Sequence, residues 1–299
     1  MLLKDFNISS SSSTNDNETT QTLPSCLLPD KEKTSALVRK VLAANPDSNS
    51  ENRPLLPLPV MNVGMPKCGS TTLFSFFQCA GLRATHWQRK TTDFEGICMR
   101  DAANIGLPPI ATCASNTEAF MQFDVELPMG FAMPMVFDSK KSRDECFFPQ
   151  LSLLEELHAE NPNLTFVINF RPIHDWVQSV RGWRDMMERF RACHLPNLPR
   201  GYPKDLTDTK DVVDTMTQFF CSHVQHIRNF AEAHPSIALI ELDLYDNDHS
   251  RETLSALFPT DRLLQHTSKC WSHENRSPGD RKKKQSISRL NNKEAKQTN

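Results

Sequence analysis

The sequence predicts an α/β fold of three layers, α/β/α, around a central and mostly parallel sheet. Two observations support this prediction. Short apolar runs that begin at Val60, Leu164 and Ser236 alternate with segments of helical periodicity, which is the order of successive β-α-β units. The run over residues 164–170 is almost continuously apolar and β-branched, as in a parallel strand that is buried on both faces.

The elements of this fold can be placed along the chain from periodicity and from the prolines that end helices. Helices are expected over residues 71–79, 150–160 and 211–234, with a further helix that Pro172 opens. Shorter strands are expected over residues 82–87 and 119–125, whereas residues 88–118 and 184–210 show no regular pattern.

The composition divides the chain into three parts. Residues 1–55 are rich in Ser, Asn, Asp and Thr, so they are expected to be disordered, apart from a short helical pattern around residues 35–44. Residues 56–272 are expected to form the folded domain, and residues 273–299 a basic, flexible tail.

Charge and cysteine usage exclude several classes of protein. The net charge is −2, which does not favour nucleic acid as a partner. The nine cysteines form no C-x-x-C pair, so neither a structural zinc site nor another metal site is expected. An odd number leaves at least one thiol free, and it is compatible with reduced cysteines or with a few disulfides.

Membrane and targeting signals are not expected in the chain as written. No apolar run approaches the ~20 residues of a membrane span, and the segment that starts at Met1 lacks the apolar core of a signal peptide. The chain as written is therefore expected to be soluble and cytoplasmic.

The most informative segment runs from the strand at Val60 into a loop that contains Gly64, Lys67 and Gly69, and then into a helix that begins near Ser70. The two glycines allow the backbone to curl so that N–H groups point inward, and the helix adds the positive end of its dipole. Such a loop is suited to hold a phosphate or a sulfate group.

The lysine of this loop is not where a nucleoside triphosphatase has it. The spacing of Gly64 and Gly69 fits the Walker A frame G-x-x-x-x-G-K-S/T, but Ser70 occupies the lysine position. The lysine lies inside the loop instead, at Lys67.

A second informative segment follows the strand at 164–170. It consists of Arg171, Pro172 and, eight residues after the arginine, Ser179 on the helix. Because ligands of open α/β sheets bind at the carboxyl ends of the strands, Arg171 is expected on the same edge as the loop at Lys67.

Together the two motifs resemble those of sulfotransferases that use 3′-phosphoadenosine 5′-phosphosulfate (PAPS). The resemblance covers residues 58–272 and is closer to carbohydrate-type than to cytosolic aryl and steroid enzymes, because the Arg-Lys-Gly loop of the latter is replaced by the segment around Cys270 and Trp271. Many glycan sulfotransferases are anchored in the Golgi, so the resemblance also allows a Golgi location if an anchor is missing from the sequence.

The resemblance implies a role for each motif residue. Lys67 would stabilise the charge that develops on the leaving oxygen without any metal, and Arg171 and Ser179 would hold the 3′-phosphate. The 5′-phosphosulfate would lie on a loop and helix start made of Pro66, Lys67, Cys68, Gly69, Ser70, Thr71 and Thr72. The Cys68 thiol is interpreted as a loop filler rather than a reactive group.

Transfer to a hydroxyl or amine also requires a base. Three residues are candidates, in the order Asp124, His86 and Glu126, because each is expected near the carboxyl edge of the sheet. The acceptor is expected to be a glycan or another small molecule.

Other interpretations of these residues stay open. Arg171 could pair with Asp175 at the start of its helix, and Trp176, Trp183 and Phe190 have the spacing of a helical core face rather than of a substrate platform. The functional alternatives are a P-loop kinase or nucleotide hydrolase and a non-catalytic protein that only binds the nucleotide.

Overall fold

The structure is a computed structural model, and it describes residues 23–46, 54–90, 93–127, 145–193, 195–198, 209–243, 245–258 and 270–271. The strands are β1 Val60–Asn62, β2 Ala84–Thr85, β3 Gln88–Lys90, β4 Asp93–Phe94, β5 Ala119–Phe120, β6 Val125–Leu127, β7 Glu145–Phe147, β8 Thr165–Phe170 and β9 Ala238–Asp243. The helices are α1 Lys31–Ala44, α2 Ser70–Cys79, α3 Glu95–Asn104, α4 Pro109–Ala114, α5 Pro149–Ser152, α6 Leu154–Glu160, α7 Ile173–Arg181, α8 Met186–Ala192, α9 Thr209–Ala233 and α10 Asn247–Leu257.

The centre of the fold is a five-stranded sheet in the order β2-β5-β1-β8-β9. All of its neighbouring strands are parallel, and β1 lies between β5 and β8. Val60 pairs with Ala119 on one side and with Thr165 on the other. The parallel sheet confirms the α/β class that the apolar runs predict.

Side chains of β8 alternate between the two faces of the sheet, and each face carries its own hydrophobic cluster. Phe166 and Ile168 pack with Phe219 and other apolar residues of α9. Val167 packs on the opposite face with residues of α2 and α10, including Phe76. Helices therefore cover both faces of the sheet, which confirms the three-layer α/β/α arrangement.

Several predicted elements are divided or supplemented in the structure. The strand expected over 119–125 splits into β5 and β6, and β6 pairs with β7 in a separate antiparallel ribbon. The helix expected over 150–160 is broken at Leu153 into α5 and α6. The prediction of irregular structure was wrong for much of 88–118, which contains α3 and α4, and for the part of 184–210 that forms α8.

The N-terminal region is packed where the sequence predicts disorder. Arg228 on α9 donates to both carboxylate oxygens of the buried Glu241, at 2.8 and 2.6 Å, and to the carbonyls of Ser25 and Leu28. The helix α1 lies against β9 and α10. Among the described residues, packed structure is therefore present from Ser25 onward, because hydrogen bonds from Arg228 and the Cys26–Cys221 disulfide hold a segment that composition alone marks as disordered.

Eight of the nine cysteines form disulfides. The pairs are Cys26–Cys221, Cys79–Cys270, Cys98–Cys113 and Cys146–Cys193. Two of them join residues more than 190 positions apart. The remaining cysteine, Cys68, is buried in the loop after β1.

Within the described residues, no helix combines the length and the apolar composition that a membrane span requires.

Candidate functional site

The candidate site lies at the carboxyl ends of β1 and β8, where the loop after β1 turns into helix α2. Two residues of this loop adopt the left-handed conformation, Lys67 with a φ of 68° and Gly69 with a φ of 96°. A lysine in this conformation is uncommon, and such residues concentrate at functional sites. The loop therefore has the curled backbone that the glycine spacing predicts.

Buried side chains behind the loop hold its carbonyl oxygens. Trp176 Nε1 donates to the carbonyl of Pro66 at 2.8 Å, and the amide of Asn169 donates to the carbonyl of Cys68. Because a trans peptide directs its C=O and N–H to opposite sides, the N–H groups of Lys67 and Gly69 face away from these anchors. This is the arrangement of a backbone that accepts an anion.

His223 anchors the start of the loop. Its Nε2 lies 2.6 Å from the carbonyl oxygen of Val63. Burial lowers the pKa of His223 to about 4, so the ring is neutral at pH 7 and donates its single N–H to that carbonyl. His223 is therefore a structural residue and does not act as a charged group of the site.

Gly64 is required by close packing rather than by its backbone angle. A Cβ at this position would lie 2.5 Å from Oδ1 of Asn169 and 3.1 Å from Oδ1 of Asn62. Asn169 is the residue that holds the Cys68 carbonyl. The absence of a side chain at Gly64 thus lets the end of β8 approach the loop.

Two cations meet at the loop. Arg171 donates to the carbonyl oxygen of Lys67 at 3.2 Å, and burial, followed by the charge of Arg171, lowers the pKa of Lys67 to about 8. The negative charge of Glu126 acts in the opposite direction. A site that holds two cations close enough for one to lower the pKa of the other is suited to a dianionic ligand.

Arg171 does not form the helix-start ion pair with Asp175 that the sequence allows. The Asp175 carboxylate accepts a hydrogen bond from the Tyr245 hydroxyl instead. Arg171 Nε is buried and has no hydrogen-bond partner among the described residues. Ser179 lies half-buried in the second turn of α7.

The start of α2 is connected to the base candidates through side chains. Ser70 Oγ lies 3.1 Å from His86 Nε2 and donates to Gln122 Oε1 at 3.3 Å, and Gln122 donates to the Asp124 carboxylate at 3.2 Å. Burial lowers the pKa of His86 to about 4. His86 is therefore neutral at pH 7 and a weaker base than an ordinary histidine.

Asp124 and Glu126 form a buried carboxylate pair at the edge of the site. Burial raises the pKa of Asp124 to about 6, and burial together with the charge of Asp124 raises that of Glu126 to about 7. Arg189, which is fully buried, holds Glu126 at 2.9 Å, while Gln150 donates to Asp124 at 3.3 Å. Glu126 Oε2 has no partner among the described residues. This pair titrates near neutral pH, as a general base requires.

The Cys68 thiol is not reactive in this fold. It is fully buried, and burial raises its pKa to about 12. The structure thus agrees with the interpretation of Cys68 as a loop filler, since a thiol with this pKa holds almost no thiolate at pH 7.

A narrow cleft continues from the loop along β9 and α10. It is lined by Gly69, Thr72, Leu73, Asn169, Leu242, Asp243, Ser250 and Trp271. Trp271 follows the Cys79–Cys270 disulfide, and its ring packs edge-on against Phe76 at 5.8 Å. The cleft therefore provides an apolar wall next to the anion loop.

The sequence predicts most of the loop but not what Asn169, Arg189 and Trp271 do around it. Asn169 holds the Cys68 carbonyl, Arg189 holds Glu126, and Trp271 lines the cleft beside Gly69, and only the fold brings these separate parts of the chain together. For Asn169 a sequence signal did exist, since a polar residue interrupts the apolar run of β8 one position before its end.

Among the described residues, no group of three or more His, Cys, Asp and Glu side chains is arranged to hold a metal ion. Comparisons of the sequence with protein-family models and with curated proteins, and of the fold with solved structures, gave no significant match. The chemistry of the site is therefore argued from its own residues.

We expect Gly64→Ala to destabilise the protein by about 1 to 3 kcal/mol, because the added methyl group overpacks the contact with Asn169. Urea unfolding measures the change. The control is Gly106→Asn, at a left-handed position with open space around it, where asparagine is tolerated. Equal stability of the two variants would contradict the packing role of Gly64.

Proposed function

We propose that the protein is a PAPS-dependent sulfotransferase that acts on a hydroxyl or amine, with a carbohydrate or a small metabolite as acceptor. The observation that carries the proposal is the contact between Arg171 at the end of β8 and the loop that carries Lys67, with Ser70 at the Walker lysine position. A curled loop, a helix N-terminus and two adjacent cations fit a nucleotide with phosphate groups at both its 3′ and 5′ positions.

Different residues of the site would bind different parts of the cofactor. The 5′-phosphosulfate would bind the backbone from Pro66 to Thr72. Arg171, whose Nε has no partner among the described residues, would bind the 3′-phosphate, together with Ser179. The nucleoside would pack against the apolar wall beside Trp271, because this wall adjoins Gly69.

The reaction requires a group that stabilises charge on the leaving oxygen and a base that removes the acceptor proton. PAPS supplies the sulfuryl group: its sulfur forms a bond to the acceptor oxygen or nitrogen while the bond between that sulfur and the 5′-phosphate oxygen breaks. Lys67 would stabilise the negative charge on that oxygen. The acceptor proton would pass to the carboxylate pair of Asp124 and Glu126, whose pKa values lie near 6 and 7.

Glu126 is better placed for this proton than His86. The charge of Glu126 acts on Lys67, and its Oε2 lacks a partner among the described residues. Both oxygens of Asp124 accept from glutamine amides, and His86 is bound to Ser70. We therefore move Glu126 from third to first place among the base candidates and keep Asp124 as its coupled partner.

A P-loop kinase or hydrolase is the second candidate function, and a protein that only binds the nucleotide is the third. A kinase needs a lysine at the position of Ser70, whereas this loop carries its lysine at Lys67; the carboxylate at the end of β9, Asp243, is the group that would serve magnesium in this alternative. Removal of the carboxylate pair distinguishes an enzyme from a protein that only binds the nucleotide. In an enzyme this change would abolish turnover and leave nucleotide binding intact, whereas a binding protein has no turnover to lose.

We infer further that the protein folds in an oxidising compartment such as the lumen of the secretory pathway. Four disulfides that use eight of the nine cysteines support this inference, because structural disulfides are rare in the reducing cytosol. This replaces the cytoplasmic expectation. It also fits an acceptor that is itself made or carried in the secretory pathway.

For the cofactor, we expect 3′-phosphoadenosine 5′-phosphate to bind the wild type more tightly than magnesium–ATP does. Arg171→Ala should weaken that binding by about 10- to 100-fold, the effect of losing charge-assisted hydrogen bonds of about 1.5 to 3 kcal/mol. Calorimetric titration measures both affinities. Arg100→Ala, which removes an arginine paired with Asp101, is the control. Preference for magnesium–ATP would instead identify a kinase.

For the pH dependence, we expect a bell-shaped profile of kcat/KM. Activity should rise with pH through about 6 to 7, as the Asp124 and Glu126 pair loses its proton, and fall above about 8, as Lys67 loses its own. Glu126→Gln should abolish turnover without loss of nucleotide binding. Lys67→Arg should remove the alkaline fall, since arginine stays charged. An alkaline fall that persists in Lys67→Arg would exclude Lys67 as its origin.

For the compartment, we expect one free cysteine and four disulfides in protein secreted from eukaryotic cells. Alkylation of the unfolded protein before and after reduction, followed by mass spectrometry, counts the thiols. The reduced protein should lose stability, by about 2 to 5 kcal/mol per disulfide. Nine alkylated thiols without reduction would contradict the inference.

A further inference from the structure

Trp176, Trp183 and Phe190 form an aromatic stripe at helical spacing, and Trp183 is the one of the three that is not buried. Trp176 and Phe190 are fully buried, as the spacing predicts, but Trp183 is 43% exposed. It follows the end of α7, and the next residue, Arg184, has a left-handed φ of 51°. The interpretation of Trp183 as a core residue was therefore wrong, because the chain turns out of the helix before the stripe continues.

The exposed ring of Trp183 covers Lys67, the lysine proposed above to stabilise the leaving oxygen. Lys67 Nζ lies 3.6 Å from the centroid of the ring. Among the described residues no carboxylate lies within ion-pair distance of Lys67. The ring face is thus the contact that holds the ammonium group in this structure.

This contact is weak compared with the one that an anion would offer. A cation–π contact draws the ammonium group only to the quadrupole of the ring, whereas an anionic oxygen attracts it as a full opposite charge. An anion on the loop would therefore draw Lys67 away from Trp183 and leave one face of the indole open beside the point of transfer.

Polar groups of the carboxylate pair, whose Glu126 charge acts on the same lysine, favour a ligand with several hydroxyl groups. Oε2 of Glu126 and Oε1 of Gln150 are buried acceptors without a partner among the described residues. Both need an O–H or N–H donor. An aromatic plane together with several polar acceptors fits a sugar ring, whose C–H face packs on the indole while its hydroxyls meet the acceptors. A simple phenol has only one hydroxyl to offer.

We propose that Trp183 is the acceptor platform of the site, a stacking surface for a sugar ring that Lys67 occupies only until the nucleotide binds. The proposal rests on the sulfotransferase function proposed above. It assigns the acceptor to the face of Trp183 that Lys67 covers in this structure, and the nucleotide to the loop backbone.

The test compares wild type with Trp183→Phe and Trp183→Leu. Calorimetry with 3′-phosphoadenosine 5′-phosphate first measures nucleotide binding. Saturation-transfer NMR on the nucleotide complex then screens neutral and N-acetylated mono- to tetrasaccharides beside simple phenols, and turnover with PAPS gives KM and kcat for the saccharides that bind.

We expect nucleotide affinity to stay within about threefold in both variants. Trp183→Leu should raise the KM for saccharides about tenfold at nearly constant kcat, which corresponds to about 1.4 kcal/mol of acceptor binding. Trp183→Phe, which keeps a smaller aromatic face, should lie between wild type and Trp183→Leu. The exposed Ile105→Ala, at 73% exposure, should match wild type.

The outcomes separate the two proposals. If the wild type does not bind the nucleotide, the sulfotransferase function fails, and the platform fails with it. If the nucleotide binds but the saccharide KM of Trp183→Leu is unchanged, or only phenols bind, or no saccharide binds, the platform proposal alone is overturned.

Discussion

The structure around the site depends on the placement of two cations at one short loop: Lys67 belongs to the loop, and Arg171 reaches it from the end of β8. Their charges repel, and the loop offers only a carbonyl oxygen between them. The fold keeps them together because the guanidinium leaves the end of β8 at the point where the loop leaves β1. Such an arrangement costs stability in the free protein, and the binding of an anion offsets that cost. The site is thus organised for a ligand with more than one negative charge.

Buried side chains behind the loop make this arrangement rigid. Asn169, Trp176 and His223 bind three loop carbonyls from β8, α7 and α9. Each of these groups would be costly to bury without a partner, so the core and the loop stabilise each other. The carboxylates Asp124 and Glu126 are held in turn by Gln150 and Arg189, each at one oxygen, and the charge of Glu126 acts on Lys67.

Disulfides and buried ion pairs extend the domain beyond the segments that are apolar in sequence. Cys26–Cys221 and the hydrogen bonds from Arg228 to the carbonyls of Ser25 and Leu28 hold the N-terminal segment against α9. Cys79–Cys270 brings Trp271 to the narrow cleft beside the loop. The two disulfides join residues 195 and 191 positions apart, and no local pattern in the sequence encodes such pairs. The same disulfides favour an oxidising compartment over the cytosol.

The sequence by itself determined the parallel α/β sheet and the curled loop, because both follow from local properties: apolar runs that fit buried strands, and glycines at fixed spacing before a helix. The tertiary structure alone decided which side chains complete the site. Asn169 reaches the loop through strand order, and Trp183 reaches its lysine through the turn after α7, while Arg189 of α8 holds Glu126. The order of base candidates changed for the same reason, since burial and neighbouring charges set the pKa values of His86 and Glu126, and burial is a property of the fold.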